Sequence, residues 1–527
     1  MSYNKMEVIM KKLLALFVAV VMVFALTTTA FADGDYRKVN VAVNSDPESL
    51  APWGGATVGG KVSVLASIYE PLFALEQIGG DPIPAIASGY EQVDDFTYNI
   101  KLFENVYDTQ GNHITASDVV FSYQTGDAQG NMATFLSAYE EISVVDDYTV
   151  KLVLNSNELG SFLNTTTMVY IVSQAAFEAD PDGFVTNPVG TGPYMLKDWV
   201  SGASTTLVKN PNYWQAGDPH NAFAGQNCDE IEFIVYTEPS QIAIALETGE
   251  VDFAANVAKS DLYLFGEGTG FTVYQIPAAL NQVFLFNASE GRPTADKKLR
   301  QAICYAVDCQ ALIDGAYDGL GDVCKTYGNP CYGDYVAKWS EEEYYDYNAD
   351  SAKACLAEAN YNGEPIKIMV MGTIAEHVRA AQIVQAYLSE VGINAEIVTY
   401  DNTLFNTYRF DASQWDIQIT NKGSGDYIAN LWKYNYDHRL FGGMGQMLAA
   451  DEELQGLLEA CLDVNTHSDE TMDAFHQCLK ENAYGYGLLY SYESFVYTET
   501  MDSVVINTQN AVLPGSCTYS DGFVSHS

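Results

Sequence analysis

The segment Trp415-Asp-Ile-Gln-Ile-Thr420 has the alternation of a half-buried strand, and it opens into Asn421-Lys-Gly-Ser-Gly-Asp-Tyr427. In open α/β sheets, ligands sit beyond the carboxyl ends of strands. Gly423 and Gly425 let a backbone come close, Asp426 stands at the tip of the loop, and Trp415, Tyr427, Trp432, Tyr434 and Tyr436 supply aromatic surface nearby. A carboxylate at such a tip can pair with a ligand cation, or it can be a turn residue that caps the next helix. Basic residues are scarce, 25 against 69 acidic ones, so each arginine is a candidate for a ligand carboxylate. Among Arg292, Arg300, Arg379, Arg409 and Arg439, the helical Arg300 reads as structural. Arg409 and Arg439 lie in less regular segments and are the candidates to line a cleft. Trp53, just after the first strand, is either an aromatic wall of that cleft or a core residue.

Catalysis finds no support. The chain has no G-x-S-x-G, no H-E-x-x-H and no phosphate loop, and Gly423-Ser-Gly lacks the Lys-Ser/Thr that opens a phosphate-binding helix. The pairs Asp94-Asp95 and Asp146-Asp147 are adjacent in turns, where their side chains diverge. Nine cysteines without a C-x-x-C, and only seven histidines, give no zinc site. No catalytic residue, metal or cofactor is expected. An odd number of cysteines leaves at least one thiol free or paired between chains; Cys324 and Cys331 could close a small loop, and most of the rest read as buried small hydrophobes.

The N-terminus implies export. Lys11 and Lys12 precede an uncharged stretch from Leu13 to Leu26, and Ala30 and Ala32 are spaced as an A-x-A cleavage signal. An apolar core of 14 residues is short for a membrane span and fits a secretory leader over 1–32, an uncleaved anchor being the alternative. No cysteine follows the leader, so no lipid anchor is encoded there. Removing Lys5, Lys11, Lys12 and Glu7 takes the formal charge from −44 to −46. Such a surface repels nucleic acid and anionic membranes and keeps an exported protein soluble; it also leaves a cationic ligand open.

Periodicity supplies the scaffold. Val39, Val41 and Val43 mark a first strand. From about 77 to 187 the chain is β-rich, with alternation in Phe96–Phe103 and Val150–Leu154 and a capped helix start at Thr115. Ile231–Tyr236 is a strand, Pro239–Thr248 a helix stopped by Gly249, and Glu250–Ala254 a strand again. Beyond 290 helix and strand alternate. Ile366–Met371, Ala375–Val391 and Ile393–Val398 form a βαβ unit, which requires parallel strands. Phe495–Thr498 and Ser503–Ile506 read as late strands.

The string Asn187-Pro-Val-Gly-Thr-Gly-Pro-Tyr194 is by itself a tight, rigid connector, since Gly190 and Gly192 can take positive φ while Pro188 and Pro193 fix φ. Followed by Lys209-Asn-Pro-Asn-Tyr-Trp214, it resembles the signature of the extracytoplasmic solute-binding proteins of peptide and nickel ABC transporters. Three further blocks resemble the same family in order and spacing: Ile242–Asp252, Phe286-Asn287 with Lys298–Asp308, and Tyr347–Lys353 with the βαβ unit. The resemblance implies a periplasmic-binding-protein-like type II α/β fold, two α/β lobes with a hinge plus an inserted smaller β-rich domain. It maps lobe I to 33–76, 188–290 and 496–527, the insert to 77–187, and lobe II to 291–495, with a hinge near 290 and 495. In peptide-binding members an aspartate of the glycine-containing loop pairs with the ligand's α-ammonium, and Asp426 matches that position. Ile428-Ala-Asn430 departs from the Asp/Pro-rich run found there. The implied function is an exported, monomeric protein that captures a small peptide and delivers it to ABC transporter permease subunits. An oligosaccharide, for which 36 tyrosines offer stacking surface, or a sensing or adhesin role are the alternatives.

Overall fold

The computed structural model describes residues 36–53, 60–129, 132–133, 135–255, 257–423, 425–439 and 451–526. The expected leader and its cleavage point lie outside the described residues. Among the described residues no helix is long and apolar enough to cross a membrane.

Two long antiparallel strands, Phe271–Phe286 and Gly485–Thr498, run through the middle of an 11-stranded sheet. At one end, Phe271–Pro277 pairs with Tyr492–Thr498, and the sheet continues through Phe253–Ala255, Lys38–Val43 and Glu230–Val235 to the strands Ser204–Lys209 and Tyr194–Val200. At the other end, Asn281–Phe286 pairs with Ile417–Lys422, which leads to Ile366–Met371 and Ala395–Tyr400. The register breaks between Pro277 and Asn281. This break, within 277–281 on one strand and 490–492 on the other, is where the pairing passes from one half of the sheet to the other. The apolar run Val283–Phe286 continues the hinge strand into lobe II; the change of pattern after 290 marks that lobe's helices.

In lobe II the parallel strands Ile366–Met371 and Ala395–Tyr400 flank the helix Ala375–Val391, which ends at Gly392 with φ 93. One sheet face packs Leu299, Ile303, Leu312, Val384 and Leu388; the other packs Leu285, Met369, Trp415, Trp432 and Phe475. The insert carries a four-stranded antiparallel sheet in the order Ala87–Gln92, Thr97–Leu102, Thr149–Leu154, Tyr139–Asp146. The helix Ala116–Gln129 covers it, and Asp118 ties its start by accepting the Thr115 N–H at 2.8 Å and hydroxyl at 2.9 Å.

The Gly/Pro string is scaffold, and its glycines are needed for space rather than for positive φ, which neither adopts. A Cβ on Gly190 would lie 2.1 Å from the Ile68 carbonyl oxygen, and the Gly192 N–H donates to that oxygen at 2.8 Å. The second half of the motif converges on the buried Glu70. Tyr213 donates its hydroxyl at 2.7 Å, Trp214 its indole N–H at 2.8 Å and Gln215 its amide at 2.8 Å. Both halves thus fasten the segment that follows the helix Gly60–Ile68, and hydrogen bonds to a buried carboxylate hold more firmly than neutral ones.

Candidate functional site

A cleft follows the hinge strands as three cavities with shared walls. One of about 460 Å³ is bounded by Gln77, Ile78, Phe223, Tyr274, Ile276, Pro277, Ala279, Cys331 and the strip Val504–Thr508 with Asn510. Asn510 also borders a cavity of about 280 Å³ at the carboxyl ends of the parallel strands Lys38–Val43 and Phe253–Ala255, where open α/β sheets place ligands. Glu493 and Ser494 join this to a third cavity of about 480 Å³ lined by Lys259, Asp318, Glu376, Arg379 and Tyr492. Among the described residues, Phe271–Pro277 has a strand partner on one side only, because Ile417–Lys422 pairs with Asn281–Phe286 and no further. Tyr274, Ile276 and Pro277 of this free edge line the 460 Å³ cavity.

The loop carrying Asp426 abuts the hinge. Its strand is Ile417–Lys422, two residues later than expected, and a Cβ on Gly423 would lie 2.1 Å from the Ala279 carbonyl oxygen at the register break. Gly425 takes φ 53, a left-handed conformation suited to glycine. Asp426 meets the start of the insert: its carbonyl accepts the Gly333 N–H at 3.2 Å, and a Cβ on Gly79 would lie 2.8 Å from the same oxygen. Asp426 itself lines none of the three cavities; Gly79 follows the cavity-lining Ile78 in the chain, and Gly333 comes two residues after Cys331.

The helix Ile428–Tyr436 is capped by another residue. Asp334 accepts the N–H of Ile428 at 2.6 Å and that of Ala429 at 2.9 Å, whereas Tyr427 at the N-cap makes no side-chain cap bond. Asp426 is thereby released from the capping role that a loop-tip aspartate often has. Burial raises its carboxyl above the usual range, the Gly79 N–H opposing this, and among the described residues no Lys, Arg or His ion-pairs with it. Burial, then Asp426, Asp334 and Asp81, push the neighbouring Tyr427 hydroxyl to about 12. A buried carboxylate among other anions favours a cation brought from outside.

The remaining expected site residues lie elsewhere. Trp53, Trp415 and Trp432 are core residues, each at most 1% exposed. Trp415 precedes its strand and so sits at the end opposite the loop, about 20 Å away at 3.3 Å per residue. Trp432 donates to the Tyr327 carbonyl at 2.8 Å and stacks on Phe475 at 4.5 Å; Trp53 donates to the Tyr170 carbonyl at 3.2 Å. Internal acceptors make burial of an indole favourable. Tyr436 is buried as well, while Tyr434 is exposed and, with Gly425, lines a cavity of about 350 Å³ at the seam with the insert. Arg439 is held by Asp437 through two bonds of 2.9 and 2.8 Å and by Glu459 at 2.7 Å, away from the cleft. Arg409 lies over Phe410, 4.8 Å from the ring centroid, and lines none of the three cavities. Arg300 donates to four backbone carbonyls and is structural. All nine cysteines are free thiols, so Cys324 and Cys331 do not close a loop. Among the described residues no group of three His, Cys, Asp or Glu is placed to hold a metal. The sequence reading missed Glu493, Asp334 and Tyr274, which carry no motif signal, and it read Ser503–Ile506 as a strand where the strand is Met501–Ser503 and 504–508 with Asn510 line the cavity.

Residues 81–438 match the model of the bacterial extracellular solute-binding proteins, family 5. The chain is 26% identical over 375 residues to the glutathione-binding protein GsiB of Salmonella paratyphi A, covering 69% of this chain and 70% of that one. In structure it resembles HbpA2 from Haemophilus parasuis, with a TM-score of 0.81 at 19% identity, covering 92% of this chain and 100% of that one. It also resembles the oligopeptide-binding protein AppA of Bacillus subtilis in complex with a nonapeptide, with a TM-score of 0.66 at 17% identity and the same coverage. These likenesses place the fold among the type II periplasmic binding proteins. Proteins of the matched family bind substrates for transport rather than transform them, and they act in the periplasm or outside the cell. With the signature blocks, the two-lobed sheet and the hinge cleft in agreement, the chain belongs to the bacterial extracellular solute-binding proteins, family 5, the substrate-binding components of ABC transporters.

Proposed function

We propose that this protein is exported by cleavage after Ala32, acts as a monomer, and captures a small peptide in the hinge cleft for delivery to the permease subunits of an ABC importer. The observation that carries this reading is the free edge of Phe271–Pro277 along the wall of the 460 Å³ cavity. An extended peptide added to a sheet edge gains main-chain hydrogen bonds that do not depend on its side chains, which gives sequence-tolerant affinity. Asp426 then takes the α-ammonium at one end, replacing water with a buried opposite charge. The peptide in the AppA complex and the glutathione named for GsiB support the class. An oligosaccharide could stack on Tyr274 and Tyr492 of the cavity walls but has no tryptophan platform in Trp53, Trp415 or Trp432, which are buried.

Calorimetry on a four-way cycle tests this. Breaking a buried charge pair from one side costs about 3–5 kcal/mol. Asp426→Asn is therefore expected to weaken a tripeptide by roughly two to three orders of magnitude, at 1.4 kcal/mol per tenfold. Acetylating the tripeptide's N-terminus costs the parent protein as much and the variant little more. Losses that simply add, or no loss at all, remove Asp426 from recognition; failure of every tripeptide to bind removes the peptide reading.

A further inference from the structure

Glu493 lies on the hinge strand Gly485–Thr498 opposite Ile276, just past the register break, and forms wall in both the 280 and the 480 Å³ cavities. Its side chain is partly buried and makes no hydrogen bond or ion pair among the described residues. Lys259 exerts the one attraction it feels, and that ammonium is directed at the Tyr317 ring across the cleft, 5.8 Å from its centroid. The other cation of this region, Arg379, is already engaged: it donates to the Ala316 carbonyl at 2.6 Å and lies 4.0 Å from Asp318 and 3.9 Å from Glu376. Among the described residues, the walls of the 280 and 460 Å³ cavities hold no Lys, Arg or His, and the latter carries Glu76. Closing the lobes over a ligand would take water from Glu493, and a carboxylate stripped of water without a partner is costly.

Resting on the peptide reading, we infer that Glu493 is a specificity-determining residue that pairs with a basic side chain of the bound peptide. Asp426 lies against Gly79, next in the chain to Ile78 of the 460 Å³ cavity, and Glu493 lies at the junction of the other two, so the two carboxylates would address different parts of one extended ligand. The preferred substrate class is then short peptides containing lysine or arginine, while peptides with acidic side chains meet a cleft whose two cations are occupied or outnumbered.

The test is calorimetry with trialanine and with tripeptides bearing Lys or Glu at the second or third position, on the parent protein, Glu493→Gln and Lys259→Gln. In the parent, one Lys-bearing peptide is expected to bind at least about tenfold more tightly than trialanine, and its Glu counterpart more weakly. Glu493→Gln should bring the Lys-bearing peptide level with trialanine, whereas Lys259→Gln should preserve or widen the preference. Equal binding of all the peptides by the parent overturns the inference and leaves the peptide reading standing, and this comparison holds even if a variant misfolds. A Lys preference that survives in folded Glu493→Gln also overturns it. Binding of none of the tripeptides overturns the peptide reading and the inference together.

Discussion

Lys422 ends the strand Ile417–Lys422 with a buried ammonium whose nearest charge is another cation. Burial first, and then repulsion from Arg409, lower its pKa to about 7; the Tyr434 ring, 5.8 Å away at its centroid, is a weak compensation. Between about 7 and the ordinary lysine range, the unfolded chain holds a proton that the folded chain has released. Stability therefore rises with pH through that window, and below about 7 the buried charge is a cost. Lys422→Met is expected to melt higher than the parent at about pH 6, with the advantage shrinking toward about pH 9. Melting curves across that range decide it; a variant no more stable at the acid end would contradict the assignment. Nothing in Asn421-Lys-Gly distinguishes such a lysine from a solvated one, because burial is a tertiary property. The same holds for Glu493, an isolated acid in a Tyr- and Ser-rich strand. The tryptophans failed for the opposite reason: large aromatic side chains satisfy a cleft or a core equally in sequence, and only the two-residue shift in the strand's start settles Trp415 as core.

Elements with clean periodicity were legible. Ile366–Met371 and Ala375–Val391 occupy the expected residues, and the second strand of that unit is displaced to Ala395–Tyr400. Of the hinge strand Gly485–Thr498, only Phe495–Thr498 was read from the sequence; its first half carries Gly485 and Gly487. These glycines are kept for clearance: a Cβ on Gly487 would lie 2.1 Å from the Thr326 carbonyl oxygen, so the loop after Val323 could not lie against the strand. That same region delivers Asp334 to the helix Ile428–Tyr436, a long-range cap that local spacing cannot reveal. Removing a capping side chain costs about 1 kcal/mol, and more where two N–H groups are left buried. Asp334→Ala is expected to speed amide exchange at Ile428 and Ala429 and to weaken ligand binding through the adjoining Asp426 loop, with Asp334→Asn intermediate. Unchanged exchange would mean that these N–H groups have another partner.

At the scale of the whole molecule, the order of the blocks made the two lobes and the insert legible, whereas the contacts between them were not. The insert reaches across to lobe II through Asn157–Leu159. Leu159 donates its N–H to the Leu462 carbonyl at 2.7 Å, Val464 to the Asn157 carbonyl at 3.2 Å, and Lys433 pairs with Glu158. Gly79, seated on Gly333 and Asp426, adds a further contact to lobe II beside the hinge. Leu159 and Ile78 also pack against the lobe II core, and hinge motions of such lobes run on the microsecond to millisecond scale. Capture of a peptide between the lobes therefore predicts an equilibrium that ligand shifts toward the closed form. Small-angle scattering on the purified chain measures this most directly. Adding a saturating tripeptide is expected to lower the radius of gyration; a radius unchanged while calorimetry records full occupancy would contradict capture by closure of the two lobes.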